Sequence, residues 1–140
     1  MTTAARAEQP EARQKLARAR YVKDTVETLT APRLVTMLYD TLVSDLRDAE
    51  AGIGAGDTYN ANKRLVRAQK IVLELRSSLK PELWSGGPRL AALYDYWLRE
   101  IVQANVRKDA ARVAACRLQI EPIRDAWHQA ATEVQSAAAS

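Results

Sequence analysis

The side chains that most often carry chemistry are scarce in this chain and poorly spaced for it. There is one cysteine, Cys116, and one histidine, His128. A closed zinc site needs four such ligands, so two residues cannot supply one. Cys116 falls on a d-type position of an apolar helical repeat, which marks a small buried hydrophobe and not a reactive thiolate. His128 stands beside Trp127 with no nucleophile motif to match it and reads as a surface residue. Gly52, Gly54 and Gly56 superficially resemble a phosphate loop, but no strand precedes them and no Lys-Ser/Thr follows. A di-iron bundle would need an inward Glu-x-x-His, which no segment offers. Carboxylates mostly lie three or four residues from an arginine, as Asp95 does from Arg99, the pattern of a solvated helix face. The expectation is a protein that is not an enzyme, with no catalytic residue, no metal and no cofactor.

What is left is binding by shape. The segment around residues 90–105 carries Leu93, Tyr94, Tyr96, Trp97, Leu98, Ile101 and Val102, which cover more than one face of a helix. A bundle helix needs only one apolar stripe. Leu93, Trp97 and Ile101 read as core. Tyr94, Tyr96 and Leu98 read as surface or interface, where aromatic rings bury much area at low entropy cost.

The elements that must position these residues are helices throughout. Apolar residues recur with a period near 3.6, and no stretch alternates with period two. A first helix is expected from about Ala31 to Ala51, capped at Thr30 or Ala31, with Pro32 in its first turn. Its stripe is Leu34, Leu38, Leu42, Leu46 and Ala49, widened by Val35, Tyr39 and Val43. The glycine run at 52–56 ends it, and Asp57 caps a second helix with Leu65, Ala68, Val72, Leu75 and Leu79 in heptad spacing. A third starts near Pro88 with the stripe Leu90, Leu93 or Tyr94, Trp97, Ile101 and Ala104, and with Leu98 and Val102 beside it. A fourth follows Asp109, with Val113, Cys116, Ile120, Ile123, Trp127, Ala130 and Val134 in phase. Pro122 lies inside it and predicts a kink. Short connections make neighbours antiparallel, so the fold class is all-α, an antiparallel four-helix bundle with an N-terminal basic arm or short extra helix. The 140 residues suit one domain, divided into a basic arm at 1–20, a bundle at 21–135 and a frayed tail at 136–140.

Net charge is +4, and all of it falls in the first 23 residues, which hold six basic and two acidic side chains. Such a head could grip phosphates, but no aromatic interleaves the charges, and a solvated arm is the simpler reading. No apolar run approaches the ~18 residues of a membrane span, and the N-terminus has no secretion-signal core. The chain is therefore expected to be soluble and cytoplasmic.

The same residues carry a resemblance. Thr30-Ala31-Pro32, Thr36-Met37-Leu38-Tyr39-Asp40, then Asn62, Leu65, Arg67-Ala68-Gln69, Ile71 and Glu74-Leu75 follow a known order. So do Leu93-Tyr94-Asp95-Tyr96, Gln103-Ala104-Asn105, Lys108-Asp109 and Arg124-Asp125-Ala126-Trp127. Over residues 21–131 the chain resembles the flagellin-specific export chaperone family, the FliS family. Departures are a longer basic head, Ala31 before the proline, Trp97 where Met is common, and Pro122 in the last helix.

The resemblance implies a cytoplasmic, ATP-independent chaperone for flagellar type III secretion. Its partner would be the C-terminal segment of unpolymerised flagellin, which folds into helices as it wraps the bundle and is kept from premature polymerisation. Export gate components and a flagellar regulator are implied as further partners, with no nucleic acid and no membrane insertion. An N-terminal tyrosine that covers the groove in this family matches Tyr21. The expected partner-binding groove is Tyr21, Val26, Leu38, Leu42, Tyr94, Trp97, Leu98 and Ile101, of which Tyr94 matches the motif directly and the others mostly follow helix phase. Residues Arg124, Asp125 and Trp127 are read as stabilising the last helix and core, and Asn105 and Asp109 as organising the turn before it. From other classes, the alternatives are a small helical nucleic-acid-binding regulator using the basic arm, and a structural helical dimer joined through the aromatic face.

Overall fold

The computed structural model describes the backbone of residues 3–83 and 85–139, and the side chains of residues 12–17, 32–83 and 85–139. Four α-helices follow in order: α1 (Thr3–Gly54), α2 (Thr58–Ser78), α3 (Gly87–Arg107) and α4 (Ala110–Ala139), with a 3₁₀ turn at Pro81–Leu83. No strand occurs among the described residues. The chain is an all-α bundle in which α1 packs on α2 and α4, and α3 packs on α2 and α4. Cross-helix pairs fix the direction of each neighbour. Asp45 meets Arg67, Arg76 meets Asp95, Trp97 meets Gln119, and Glu50, Arg47 and Asp40 meet Arg117, Glu121 and His128 in turn. Rising numbers on one helix meet falling numbers on the next, so every adjacent pair is antiparallel.

The core is one cluster. Tyr39, Leu42 and Leu46 from α1 meet Leu65, Val72 and Leu75 from α2, Trp97 and Ile101 from α3, and Val113 and Ile120 from α4. The buried positions of α2, α3 and the first half of α4 follow their heptad phase, Cys116 included, except that Leu79 and Leu93, expected in the core, are only half-buried. One end of the bundle is closed by well-made turns. Gly56 takes a left-handed φ of 77°, and Asp57 accepts a hydrogen bond from the Asn60 amide at 3.1 Å to cap α2. Lys108 ends α3 in the left-handed region, and Asp109 caps α4 through the Arg112 amide at 3.1 Å. Asn105 donates to Asn62 across α2 and α3 at 2.9 Å. At the other end Gly87 starts α3 pressed on the 3₁₀ turn. A Cβ there would lie 2.3 Å from the Pro81 carbonyl oxygen, so only glycine fits.

Several expectations are corrected. The first helix does not begin at Thr30 or Ala31. The helical backbone runs from Thr3 to Gly54 through Pro10 and Pro32. The Ala, Arg, Gln, Glu and Leu residues around them are strong helix formers, and they carry the helix past two missing amides. Leu34 is not in the core but exposed, and Tyr39 takes the buried phase in its place. Tyr94 is buried, not on the surface. Asp95 pairs with Arg76 of α2 at 3.2 Å, an inter-helix contact in place of the expected one with Arg99. The stripe of α4 is buried only to Ile120. Ile123 and Trp127 are half-buried because they border a gap between α3 and α4, and Val134 is exposed because α4 runs on past the start of α3 at Gly87. Helix α4 continues through Pro122 to Ala139.

Candidate functional site

The end of the bundle opposite the closed turns holds two apolar openings, each along a seam between two helices. Between α3 and α4 lies a cleft of about 480 Å³ walled by Leu90, Leu93, Ile123 and Trp127. Gly86 and Ala126 also line it, and their side chains are too small to fill the gap. Pro122, exposed at the lip, gives α4 no amide to bond at that turn. Between α1 and α2 lies a groove of about 560 Å³, lined by Leu34, Val35, Met37 and Leu38 on one side and by Glu74 and Ser78 on the other. The last turn of α2 carries Ser77 and Ser78, so the leucines of α1 lack apolar cover.

The seam between them, α1 on α4, is polar. His128 Nε2 and Asp40 Oδ1 are 2.7 Å apart, and Arg33, Thr36, Thr132 and Gln135 line the same furrow. Further along, Arg117 donates to Glu50 at 2.6 Å and to Glu121 at 3.0 Å, and Arg47 adds a bond to Glu121 at 2.8 Å. Arg117 first, then Arg47, hold the Glu121 carboxyl below the usual carboxylate range. This seam is polar, which distinguishes it from the two apolar openings, and its furrow meets the α1–α2 groove at Met37.

Beneath them sits an aromatic cluster. Tyr39 and Tyr94 share a hydrogen bond of 2.7 Å, their rings 6.5 Å apart. Trp127 lies 6.4 Å from Tyr39, and Trp97 packs edge-on to Tyr94 at 5.7 Å. The Trp97 indole donates to Gln119 at 3.0 Å. Burial pushes both phenols above their ordinary pKa, so they stay neutral and hydrogen-bonded. Burial likewise pushes the Cys116 thiol up to about 12, which leaves it inert. Among the described residues no group of three His, Cys, Asp or Glu side chains is placed to hold a metal ion.

The eight residues expected to form a groove are distributed as follows. Leu42, Tyr94, Trp97 and Ile101 lie together in the core. Leu38 is half-buried in the α1–α2 groove. Leu98 is half-buried on the outer side of α3, beside Val102 and Gln103. Tyr21 and Val26 lie outside the residues whose side chains are described. Apart from Leu38, sequence reasoning missed the walls of both seams as binding surface. Leu34 was counted as core because the stripe of α1 was phased on it and not on Thr36 and Tyr39, which are buried, and Ile123 because helical phase cannot show how closely a neighbouring helix packs. It also missed Asp45, fully buried and held by Arg67 through two bonds of 2.6 and 2.7 Å.

Known proteins match the chain closely. Residues 13–134 match the family described as flagellar protein FliS. The flagellar secretion chaperone FliS of Bacillus subtilis is 34% identical over 110 residues, which are 79% of this chain and 82% of that protein. Those of Salmonella typhimurium and Escherichia coli are 31% and 33% identical, each over 77% of this chain and 82% and 81% of their own length. No helix among the described residues is long and apolar enough to cross a membrane.

Proposed function

The chain belongs to the FliS family and is a flagellar secretion chaperone, and we propose that its cargo is the C-terminal segment of unpolymerised flagellin, taken up in the cytoplasm through the two apolar seams. The observation that supports this most is their placement. One seam lies between α1 and α2, the other between α3 and α4, at the same end of the bundle. Helix axes in such a bundle are about 8–10 Å apart, so one straight helix cannot occupy both. A segment with two amphipathic helices joined by a turn can, and it then wraps the end of the bundle. Each helix would find in a seam the apolar neighbours it otherwise finds in a filament. Folding on capture consumes part of the contact energy and keeps the complex releasable.

Within this reading Leu38 touches cargo in the α1–α2 seam, whereas Leu98, on the outer side of α3, lines neither seam. Leu42, Tyr94, Trp97 and Ile101 act from below, setting the shape and stiffness of the walls. Tyr21 and Val26, upstream on α1, belong to the groove by family resemblance and would cover it when cargo is absent. Hand-over to export gate components and contact with a flagellar regulator follow as further steps. Nucleic acid and membrane have no part, and the protein acts without catalysis.

The test is calorimetric titration of the full chain with a peptide of the last ~50 residues of the host's flagellin, enough for two helices of ~20 residues. Expected are 1:1 binding, a negative heat-capacity change and a gain of helix in far-UV circular dichroism. Absence of binding to every flagellin of the same cell would overturn the proposal.

A further inference from the structure

The outward face of α2 has a pattern that the bundle does not use. The inward face is Ala61, Leu65, Ala68, Val72 and Leu75. On the opposite side Tyr59, Val66 and Leu73 recur every seven residues, and Lys63 and Lys70 lie between them at the same interval. Tyr59 is 82% and Leu73 51% exposed, and Val66 is half-buried between long basic side chains. Neither lysine is in an ion pair among the described residues, whereas Arg64 and Arg67 beside them are drawn to Asp45. With one apolar position per heptad and lysine at the intervening one, the stripe is narrower than a coiled-coil seam, and its charge decides which helix fits it. The stripe spans about 21 Å, three turns or more of a facing helix.

We propose that this face of α2 is a second docking site, and that its occupant is an amphipathic helix of another protein with acidic residues flanking its apolar stripe. Charge complementarity selects that occupant. A second copy of this chain would set lysine against lysine. A phosphate backbone would meet only two unpaired cations and leave the apolar positions unused. The face lies on the outside of α2, and only its Leu73 end approaches a seam, where the adjacent Glu74 lines the α1–α2 groove, so the stretch from Tyr59 to Lys70 stays open when cargo is held. The site stands independently of what that cargo is. Its use would be to let the chaperone hold a substrate and a docking partner at once, with acidic chemistry marking the partner.

The probe is a three-heptad peptide with leucine at a and d and glutamate at e and g, and its counterpart has lysine at those flanks. Each is titrated into the full chain by fluorescence anisotropy at low and moderate salt, with and without bound flagellin peptide. The acidic peptide should bind and gain helix, and the basic one should not. Lys63→Glu with Lys70→Glu should weaken the acidic peptide about tenfold or more and create binding of the basic one, since reversing interfacial charges reverses specificity. Lys80→Glu, elsewhere on the surface, should change neither. The proposal is overturned if the acidic peptide does not bind, if the charge-reversed chain binds it as before, if flagellin displaces it, or if duplex DNA of equal charge binds more tightly.

Discussion

Replacing Leu34 and Met37 together by glutamine tests the α1–α2 groove as a cargo site. Both side chains are 58% exposed, so little of their apolar surface is spent on folding. Fully burying a side chain of this size contributes about 1.5–3 kcal/mol, so the exposed share leaves about 0.9–1.7 kcal/mol per residue for a partner to gain. Over two positions this is about 1.7–3.5 kcal/mol, which raises Kd by roughly 20- to 300-fold. Glutamine keeps some methylene contact, so the lower end is expected. It is also a good helix former, and stability should stay within about 0.5 kcal/mol of the parent. The assay pairs calorimetric titration of flagellin peptide with a urea melt of each variant. Leu118→Gln is the control, since Leu118 is 60% exposed on α4 and lines neither seam. An unchanged Kd in the double variant would refute the reasoning. So would an equal loss in the control, which would mean that any exposed apolar residue serves.

Other expectations follow from the same geometry. Ala126→Trp should plug the α3–α4 cleft and weaken cargo about tenfold or more with the melting curve unmoved, read by the same titration. Tyr39 and Tyr94 have folded pKa values raised by burial, so their contribution to stability is complete below the unfolded value near ~10 and is lost as pH rises beyond it. Melting temperature should therefore drop between pH 9 and pH ~11, and less steeply in a chain with both tyrosines replaced by phenylalanine. Asp45→Ala strips a buried carboxylate from Arg67, whose own half-exposed head can turn to water, so a loss of about 2 kcal/mol in urea unfolding is expected, below that of a fully enclosed pair. Cys116 should react with a thiol reagent at pH 8 only as fast as the chain opens.

Much of the fold was legible because α2 and α3 carry a single clean stripe each. Leu65, Val72 and Leu75, or Trp97, Ile101 and Ala104, have only one face on which to sit. Caps at Asp57 and Asp109 were equally plain, since few residue types can bind the free amides at a helix start. The start of α1 was not, because Pro32 suits a first turn and is also tolerated further in when the flanking sequence favours helix. The fate of Ile123 and Trp127 was hidden for a different reason. Periodicity gives the direction of a side chain, while burial depends on how closely the neighbouring helix packs at that level. Leu34 was a matter of phase, since Thr36 and Tyr39 carry the buried stripe of α1. Tyr94 was read as surface or interface because α3 carries more apolar residues than one stripe needs, whereas it is buried with its hydroxyl bonded to that of Tyr39 across the bundle, fifty-five residues away in sequence. The candidate site was thus readable as a family trait and a surplus of apolar residues, but its walls depended on how closely the helices pack.

The division between a closed end and an open end also bears on how such a protein changes over generations. At the closed end, Gly56, Asp57, Lys108 and Asp109 each hold a backbone conformation or cap on which two helices depend. At the open end, Leu34, Met37 and Ala126 carry little of the core. Substitutions there alter what is gripped while the bundle stays folded, since exposed positions tolerate change at about 0.5 kcal/mol. A lineage can therefore follow its cargo through sequence drift at one end of the molecule while the other end goes on specifying the same architecture.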